Sequence, residues 1–173
     1  MSAQDEGILL DEIDLRILAI LQTDGRITNA ALAEAVGLSA APCHRRVRRL
    51  ERAGIISSYR AVIDPRAVGL GLEAFVEVRV AHHQHDEAND LEAALEEMPE
   101  VVACHIVTGD ADFLLEVVVA DLPHYEEFIL GKLLALPMVG DIRSKVVIRR
   151  VHSGRPLPLD HLRSQPNRQV FTK

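Results

Sequence analysis

The stretch Ser39–Arg52 (SAAPCHRRVRRLER) holds five arginines and one glutamate, in a chain whose net charge is -7. An arginine guanidinium is a planar fork of N–H donors that binds phosphate, or the O6 and N7 edge of guanine, through two parallel hydrogen bonds. Arginines placed three or four residues apart repel one another on a helix, and a polyanion relieves that repulsion. These residue types at this spacing therefore predict a nucleic-acid contact.

A helical projection divides this stretch into two faces. The apolar stripe comprises Cys43, Val47 and Leu50. The opposite side carries Arg45, Arg48, Arg49 and Arg52, while His44 and Arg46 flank the stripe. A solvated surface helix is the ordinary alternative. The single sign of the charge, and the use of arginine without lysine, favour a polyanionic partner.

Two helices must precede the arginine helix and position it. Apolar residues at i, i+4, i+7 and i+8 predict a first helix over residues 10–22, with Asp11 as its N-cap. A second helix begins after Thr28 and ends at Gly37, and Ser39 then caps the arginine helix. Helix, tight turn and helix is the pattern of a helix-turn-helix.

The second helix of this motif enters the major groove, where its first turns meet base edges. The residues expected to read bases are Ser39, Ala40, Ala41, His44 and Arg45. Those expected to meet phosphates are Arg48, Arg49 and Arg52, and Arg46 completes the predicted DNA-binding set.

The hydrophobic period changes to two from Glu73, where Ala74, Val76, Val78 and Val80 alternate with less apolar residues. Helices and strands then alternate, with strands expected over 101–107, 113–120 and 142–151 and helices around Leu95 and Phe128. The tripeptide Pro-x-Val follows each helix, at positions 38 residues apart. This duplicated βαβ unit predicts a ferredoxin-like βαββαβ domain and an α+β chain.

The sequence accordingly predicts a helix-turn-helix domain over residues 1–60, a linker strand over 61–72, a ferredoxin-like domain over 73–152 and a tail over 153–173. A strand is expected over residues 55–64, and the tail, which lacks periodicity, is expected to be mobile. The charge is divided unevenly, because residues 61–173 carry eleven basic and eighteen acidic residues. The acidity of the chain thus belongs to its second part.

The turn Thr108-Gly109-Asp110-Ala111-Asp112 joins two predicted strands and brings two carboxylates together. Glycine and aspartate are ordinary hairpin residues, so a plain turn is one interpretation. The other is a ligand site, in which a carboxylate takes the ammonium group of a zwitterion and free backbone N–H groups take its carboxylate.

Other candidate sites are weaker. His82, His83 and His85 follow a strand without a cysteine or a fixed partner, so an exposed loop is favoured over a metal site. Cys43 lies near a helix N-terminus, which lowers thiol pKa values, but its place in the apolar stripe favours a core role. No nucleophile, phosphate-loop or zinc motif is present. We therefore predict no catalytic residues, no metal and no cofactor.

The two cysteines lie far apart, and the longest apolar run is a few residues around Val117. A bilayer requires roughly 20 apolar residues, so no membrane span is expected. The N-terminus lacks the features of a targeting sequence. The sequence therefore predicts a cytoplasmic protein in a reducing compartment.

The chain resembles the Lrp/AsnC, or feast/famine, family of transcriptional regulators over residues 10–159. The resemblance depends on LDEIDLRILAILQTDGR, on LAEAVGLSAAPCHRRVRRLERAGII at residues 32–56, and on VTGDADFLL after PEVVACH. It implies a winged helix-turn-helix followed by a ferredoxin-like effector (RAM) domain. It also implies dimers formed through the sheets, further assembly into octamers, and binding to pseudo-palindromic double-stranded DNA.

The family's small effectors are usually amino acids, bound between dimers near the loop matched here by Thr108–Asp112. Asp112 falls on the aspartate of the family pattern, and Ser144 matches a position that faces the same pocket. Ala111 departs from the aromatic residue often found there. The resemblance thus predicts an effector site formed by Thr108, Gly109, Asp110, Ala111, Asp112 and Ser144.

One enzyme class has a similar architecture, namely the siroheme decarboxylases of haem biosynthesis. Such an enzyme needs acid groups around a tetrapyrrole, for which His105 and His124 are the candidates. Such an enzyme does not require a helix with an arginine face. The sequence therefore favours a DNA-binding regulator that responds to a small effector.

Overall fold

The computed structural model describes residues 8–81, 85–152, 154–163 and 169–170. Its internal contacts divide the chain into two units. The first unit comprises Met1–Val62 together with His152–Lys173, and the second comprises Ile63–Val151. The C-terminal tail therefore belongs to the same unit as the helix-turn-helix.

The first unit is mainly helical. Its elements are β1 (Ile8–Leu9), α1 (Glu12–Thr23), α2 (Asn29–Val36), α3 (Ala40–Arg52), α6 (Asp160–Arg163) and β6 (Gln169–Val170). Asp11 and Asp14 form a reciprocal capping box at the start of α1, and Thr28 Oγ1 accepts a hydrogen bond from the N–H of Ala31 at the start of α2. Gly37 ends α2 in the left-handed region at φ 74°. The three predicted helices are confirmed.

The core of the first unit lies between α1, α2 and α3. Its fully buried side chains include Ile17, Leu32, Cys43 and Leu50. Burial of one such leucine or isoleucine contributes about 1.5–3 kcal/mol. The apolar stripe predicted for the arginine helix is therefore the surface that holds α3 to the domain.

The strands expected over residues 55–64 and 61–72 are wrong. The described backbone between Arg52 and Leu72 contains no strand, and a short 3₁₀ turn occupies Pro65–Val68. The side chains of Val62 and Ile63 are 86% and 63% exposed. An apolar run forms a strand only where a neighbouring segment pairs with its backbone N–H and C=O groups. None of the described segments pairs with residues 55–70.

The described part of the tail contains regular structure, although its sequence lacks periodicity. β6 pairs antiparallel with β1, with Ile8 opposite Val170. The side chain of Gln22 accepts a hydrogen bond from the N–H of Leu157 at 2.6 Å, and Leu159 packs against the core of the first unit. Contacts between residues so far apart in sequence leave no local periodicity, which is why the pattern did not indicate them.

The second unit has the predicted βαββαβ order. Its elements are β2 (Leu72–Val80), α4 (His85–Glu96), β3 (Val101–Ile106), β4 (Phe113–Val119), α5 (Leu122–Glu126), a π-helical segment (Glu127–Leu133) and β5 (Val139–Val146). The sheet order is β3-β4-β2-β5, and all neighbouring strands are antiparallel. This arrangement confirms the ferredoxin-like topology and the α+β class.

Alternation in β2 determines which side of the sheet is buried. Ala74, Val76 and Val78 are fully buried, and Val80 is 6% exposed.

The predicted helix around Phe128 contains a π-helical turn that brings Phe128 and Leu133, five residues apart, to the same face. Both side chains are buried in the core beneath the sheet.

Candidate nucleic-acid interface and ligand loop

Helix α3 presents its arginines on two different sides. Cys43 and Leu50 are fully buried and Val47 nearly so, and this fixes the rotation of the helix in its domain. The side chains that point outward belong to His44, Arg45, Arg48 and Arg52, and all four residues are exposed. Within the described part of the chain these four side chains form no hydrogen bond or ion pair, so their N–H groups are available to an external partner.

Arg46 and Arg49 instead face helix α1. The NH1 group of Arg46 lies 2.9 Å from Oδ1 of Asp14 and 2.6 Å from Oδ2 of Asp11, and the NH2 group of Arg49 pairs with Oδ2 of Asp14. The helical projection placed Arg49 among the outward arginines; the residue is exposed, but its NH2 group is paired with Asp14. A long side chain at the edge of a helix face can turn toward an opposite charge on a neighbouring helix. A helical projection shows only the direction of each Cα–Cβ bond and contains no neighbouring helix.

The ion pairs between α1 and α3 also shift the pKa values of Asp11 and Arg46. Burial alone would raise the pKa of Asp11, but the backbone N–H of Asp14 and the Arg46 guanidinium outweigh it and lower that pKa. For Arg46, burial acts to lower the pKa, while hydrogen bonds to Asp11 and Asp14 raise it. Asp11 and Arg46 are therefore both charged at neutral pH.

The start of α3 suits close approach to DNA. Ser39 has the extended backbone of an N-cap, yet its hydroxyl makes no capping hydrogen bond. Ala40 and Ala41 follow it and are exposed. The first turn therefore presents two small side chains and an uncommitted hydroxyl.

The sequence reasoning missed two further arginines of the first unit. Arg26 and Arg60 line a groove beside Tyr59 at the end of α1. The hydroxyl of Tyr59 donates to Glu51 of α3 at 3.2 Å. Burial and this hydrogen bond raise the pKa of Tyr59. Neither arginine belongs to a periodic face, so no signal in the sequence associated it with the arginine helix.

The loop between β3 and β4 is held in place by several hydrogen bonds. Gly109 adopts φ 118°, which favours glycine. The guanidinium of Arg79 donates to the carbonyl of Asp110 through Nε at 3.0 Å and NH2 at 2.6 Å. Oδ2 of Asp112 accepts a hydrogen bond from the backbone N–H of Val80 at 2.8 Å. The loop is thus fastened to the end of β2.

A small cleft lies beside this loop on the sheet face opposite the buried side chains of β2. It is lined by Glu77, Arg79, Asp110, Ala111, Asp141 and Arg143. Both signs of charge occur around it, which is the chemistry that a zwitterion requires. Thr108 is exposed and stands outside this lining.

Ser144 is not brought to the cleft. It lies opposite Val76 in the β2–β5 register, so its side chain shares the face on which Val76 is buried. There its Oγ accepts a hydrogen bond from the hydroxyl of Tyr125 at 2.7 Å. The cleft opens on the other face, so among the described residues of one chain Ser144 and the loop do not line a common pocket.

The structure also bears on the predicted histidine and cysteine sites. His82 and His83 lie outside the described residues, as does the side chain of His85. Among the residues that are described, no group of three or more histidine, cysteine or acidic side chains could hold a metal ion. Cys43 is fully buried, and burial raises the pKa of its thiol against the opposing effect of Arg46. No described helix is long and apolar enough to cross a membrane.

Two family models match the chain, one for each part. A winged helix-turn-helix DNA-binding model covers residues 10–57, and a model of the Lrp/AsnC ligand binding domain covers residues 73–157. The first match contains the whole of α1 to α3. The second contains the sheet and the loop at Thr108–Asp112.

Relatives match over most of their length. The leucine-responsive regulatory protein of Salmonella typhimurium is 42% identical over 156 residues, which are 90% of this chain and 95% of that protein. The protein of the same name from Rhizobium meliloti is 43% identical over 142 residues, 82% of this chain and 91% of that protein. Both are named as regulatory proteins and not as enzymes.

Solved structures match as well. A transcriptional regulator from Neisseria meningitidis, determined as its L-Met complex, has a TM-score of 0.85 and 40% identity, and the match covers 88% of this chain and 99% of that chain. An AsnC family transcriptional regulator from Agrobacterium tumefaciens has a TM-score of 0.83 and 36% identity, with the same coverage.

Proposed function

Because the chain belongs to the Lrp/AsnC family of transcriptional regulators, we propose that it binds a pseudo-palindromic operator in double-stranded DNA as a homo-oligomer. We further propose that an amino acid, bound by the second unit, changes its assembly or its affinity for DNA. The cytoplasm is the compartment in which this activity is expected.

The observation that carries the DNA-binding proposal is the outward face of α3. Arg45, Arg48 and Arg52 are exposed and unpaired among the described residues, on the second helix of a helix-turn-helix. In that motif the early residues read bases and the later ones meet phosphates. The proposed base-reading residues are Ser39, Ala40, Ala41, His44 and Arg45, and the proposed phosphate contacts are Arg48 and Arg52.

A second copy of the chain supplies the symmetry that a pseudo-palindrome requires. Supporting this, the sheet face opposite the core carries Phe75 and Leu114, both only half-buried within the single chain. The same face carries an ion pair of Arg150 with Glu73 and Glu116. An apolar centre with a charged rim is typical of a protein–protein interface. We propose that the dimer forms across this face and assembles further, up to an octamer.

The proposed effector site is the cleft beside the loop Thr108–Asp112. A relative named as leucine-responsive and a solved relative in complex with L-Met support an amino acid as the ligand. Because Asp112 is already bonded to Val80, we propose that the exposed Asp110 takes the ammonium group. Arg143 is the proposed partner of the ligand carboxylate, and Ser144 lies outside this site.

The DNA-binding proposal is tested by selecting duplexes from a random pool and measuring affinity against salt concentration. Each arginine on a phosphate contributes about -0.9 to the log–log slope. Two phosphate-contacting arginines, Arg48 and Arg52, in each protomer of a dimer give a slope of about -4, and adding Arg49 gives about -5. A slope near zero, or failure to enrich any sequence, would contradict the proposal.

The effector proposal is tested by thermal shift against the twenty amino acids. A ligand at 100 times its dissociation constant stabilises the protein by about 2.7 kcal/mol. We expect one or a few amino acids to raise the melting temperature, and Asp110→Asn to abolish that shift. The matched control is Asp90→Asn, an exposed acid of α4 in the same unit. If none of the twenty shifts the melting temperature, the amino-acid proposal fails.

A further inference from the structure

Asp14 is a fully buried carboxylate in the first turn of α1, with an arginine from α3 on each of its oxygens. We propose that Asp14 is a positioning residue that sets the sequence specificity of α3, an inference that rests on the proposed DNA-binding function. It fixes the direction of Arg46 and Arg49 and withholds part of their charge from the DNA backbone.

The geometry leaves Asp14 no other partners of opposite charge among the described residues. Oδ1 accepts from NH1 of Arg46 at 2.9 Å, and Oδ2 accepts from the backbone N–H of Asp11 at 3.1 Å and from NH2 of Arg49. Asp11 in turn accepts from NH1 of Arg46 at 2.6 Å. The cap of α1 and the middle of α3 are therefore joined by one continuous network.

Burial determines how firmly this network is held. A buried carboxylate is tolerated only when it is paired, because its desolvation costs several kcal/mol. The arginine side chains are 28% and 45% exposed, so each keeps part of its guanidinium at the surface. Only one terminal nitrogen of each arginine contacts a carboxylate, and the other N–H donors remain at a fixed orientation.

The net charge of this network determines how strongly it attracts DNA. Two arginines and two aspartates, Asp11 and Asp14, sum to zero, so this side of α3 contributes little to non-specific attraction. It still presents oriented donors to one particular arrangement of acceptors. Free arginines would do the reverse, because flexible cations follow any phosphate backbone regardless of sequence.

The test is Asp14→Asn in the full chain, which removes the charge and retains an amide oxygen for the N–H of Asp11. Affinity is measured by fluorescence anisotropy for a selected operator and for a random duplex, across a salt series. We expect affinity for the random duplex to rise, the salt slope to steepen by about 1–2 per protomer, and the operator-to-random ratio to fall about tenfold.

The matched control is Glu34→Gln, which removes one negative charge from an exposed position on α2 of the same unit. It should leave the operator-to-random ratio unchanged. If Asp14→Asn lowers both affinities equally and leaves the slope and the ratio unchanged, Asp14 only supports the fold and the inference is wrong. If the wild-type chain binds no DNA, the proposed function itself has failed.

A second variant applies if Asp14→Asn does not fold, as judged by circular dichroism. Arg49→Gln leaves Asp14 paired with Arg46 and removes one of the oriented groups. We expect the operator-to-random ratio to fall about tenfold while the salt slope changes by less than about 1. An unchanged ratio in this variant would also overturn the inference.

Discussion

The carboxylate of Asp112 accepts a hydrogen bond from the backbone N–H of Val80, with 2.8 Å between Oδ2 and the nitrogen. The same loop is held by Arg79, which donates twice to the carbonyl of Asp110. The residue that the sequence favoured as a ligand group thus fastens the loop to the sheet. Substitution of Asp112 therefore changes the loop as well as any ligand site.

Two variants of Asp112 separate these roles. Asp112→Ala leaves the partly buried N–H of Val80 without an acceptor and should destabilise the protein by about 1–3 kcal/mol. Asp112→Asn keeps an oxygen acceptor and should stay within about 0.5 kcal/mol of the wild type. Chemical denaturation measures both. Equal stabilities for the two variants would contradict a structural role for this hydrogen bond.

Arg48→Ala should weaken DNA binding uniformly across sequences, because we place its guanidinium on a phosphate. The salt slope should become shallower by about 0.9 for each protomer in the complex. Arg66→Ala is the control, since Arg66 is an exposed arginine of the second unit. A loss confined to one operator sequence would instead assign Arg48 to base reading.

The two cysteines should differ sharply in reactivity. Cys104 is exposed on β3, although burial and the charge of Glu92 raise the pKa of its thiol. Cys43 is fully buried in the first core. A thiol reagent at mildly alkaline pH should modify one thiol per chain in the native protein and two after denaturation. Cys104→Ala should remove the native reaction, and two native thiols would contradict the burial of Cys43.

The pair formed by Glu100 and Lys132 should make stability depend on pH. The Lys132 Nζ lies 2.5 Å from Oε1 of Glu100. Burial would raise the pKa of Glu100, but the hydrogen bond to Lys132 and a backbone bond lower it below its ordinary value of 4.5. A lowered carboxyl pKa stabilises the fold above that value, and the stabilisation is lost as pH falls through the folded pKa.

Glu100→Gln should therefore cost up to about 1 kcal/mol at pH 7, and the difference from wild type should shrink as the pH falls below 4.5. Glu97→Gln, an exposed neighbour, is the matched control. Denaturation curves at several pH values measure both. A cost that stays constant with pH would contradict the ion pair as its cause.

The tail should stabilise the first unit through Leu159, which packs against its core. Leu159→Ala should destabilise that unit by about 1–2 kcal/mol, less than for a fully buried leucine. Leu157 is 71% exposed, so Leu157→Ala should change stability by less than about 0.5 kcal/mol. Equal effects in thermal unfolding would mean that the tail does not dock.

Features set by near neighbours in sequence were predictable. The caps at Asp11 and Thr28, the end of α2 at Gly37 and the burial of alternate residues in β2 all depend on residues within a few positions. The order of helices and strands then implied the ferredoxin-like sheet. The apolar stripe of α3 could likewise be predicted from helical periodicity alone.

Features set by distant residues were not predictable in this way. Asp14 is recognisable as a capping residue, but its pairing with Arg49 depends on how α1 and α3 meet. The face on which Ser144 lies depends on the register between β2 and β5, and a shift by one residue would reverse it. Residues 55–64 have the composition of a strand but lack a neighbour to pair with.

The pairing of β1 with β6 places Ile8 beside Val170. Because the strands are antiparallel, the start of β1 lies beside the end of β6. A short linker could therefore join the start of β1 to the end of β6, with new ends opened elsewhere, and such a circular permutant should keep the same topology.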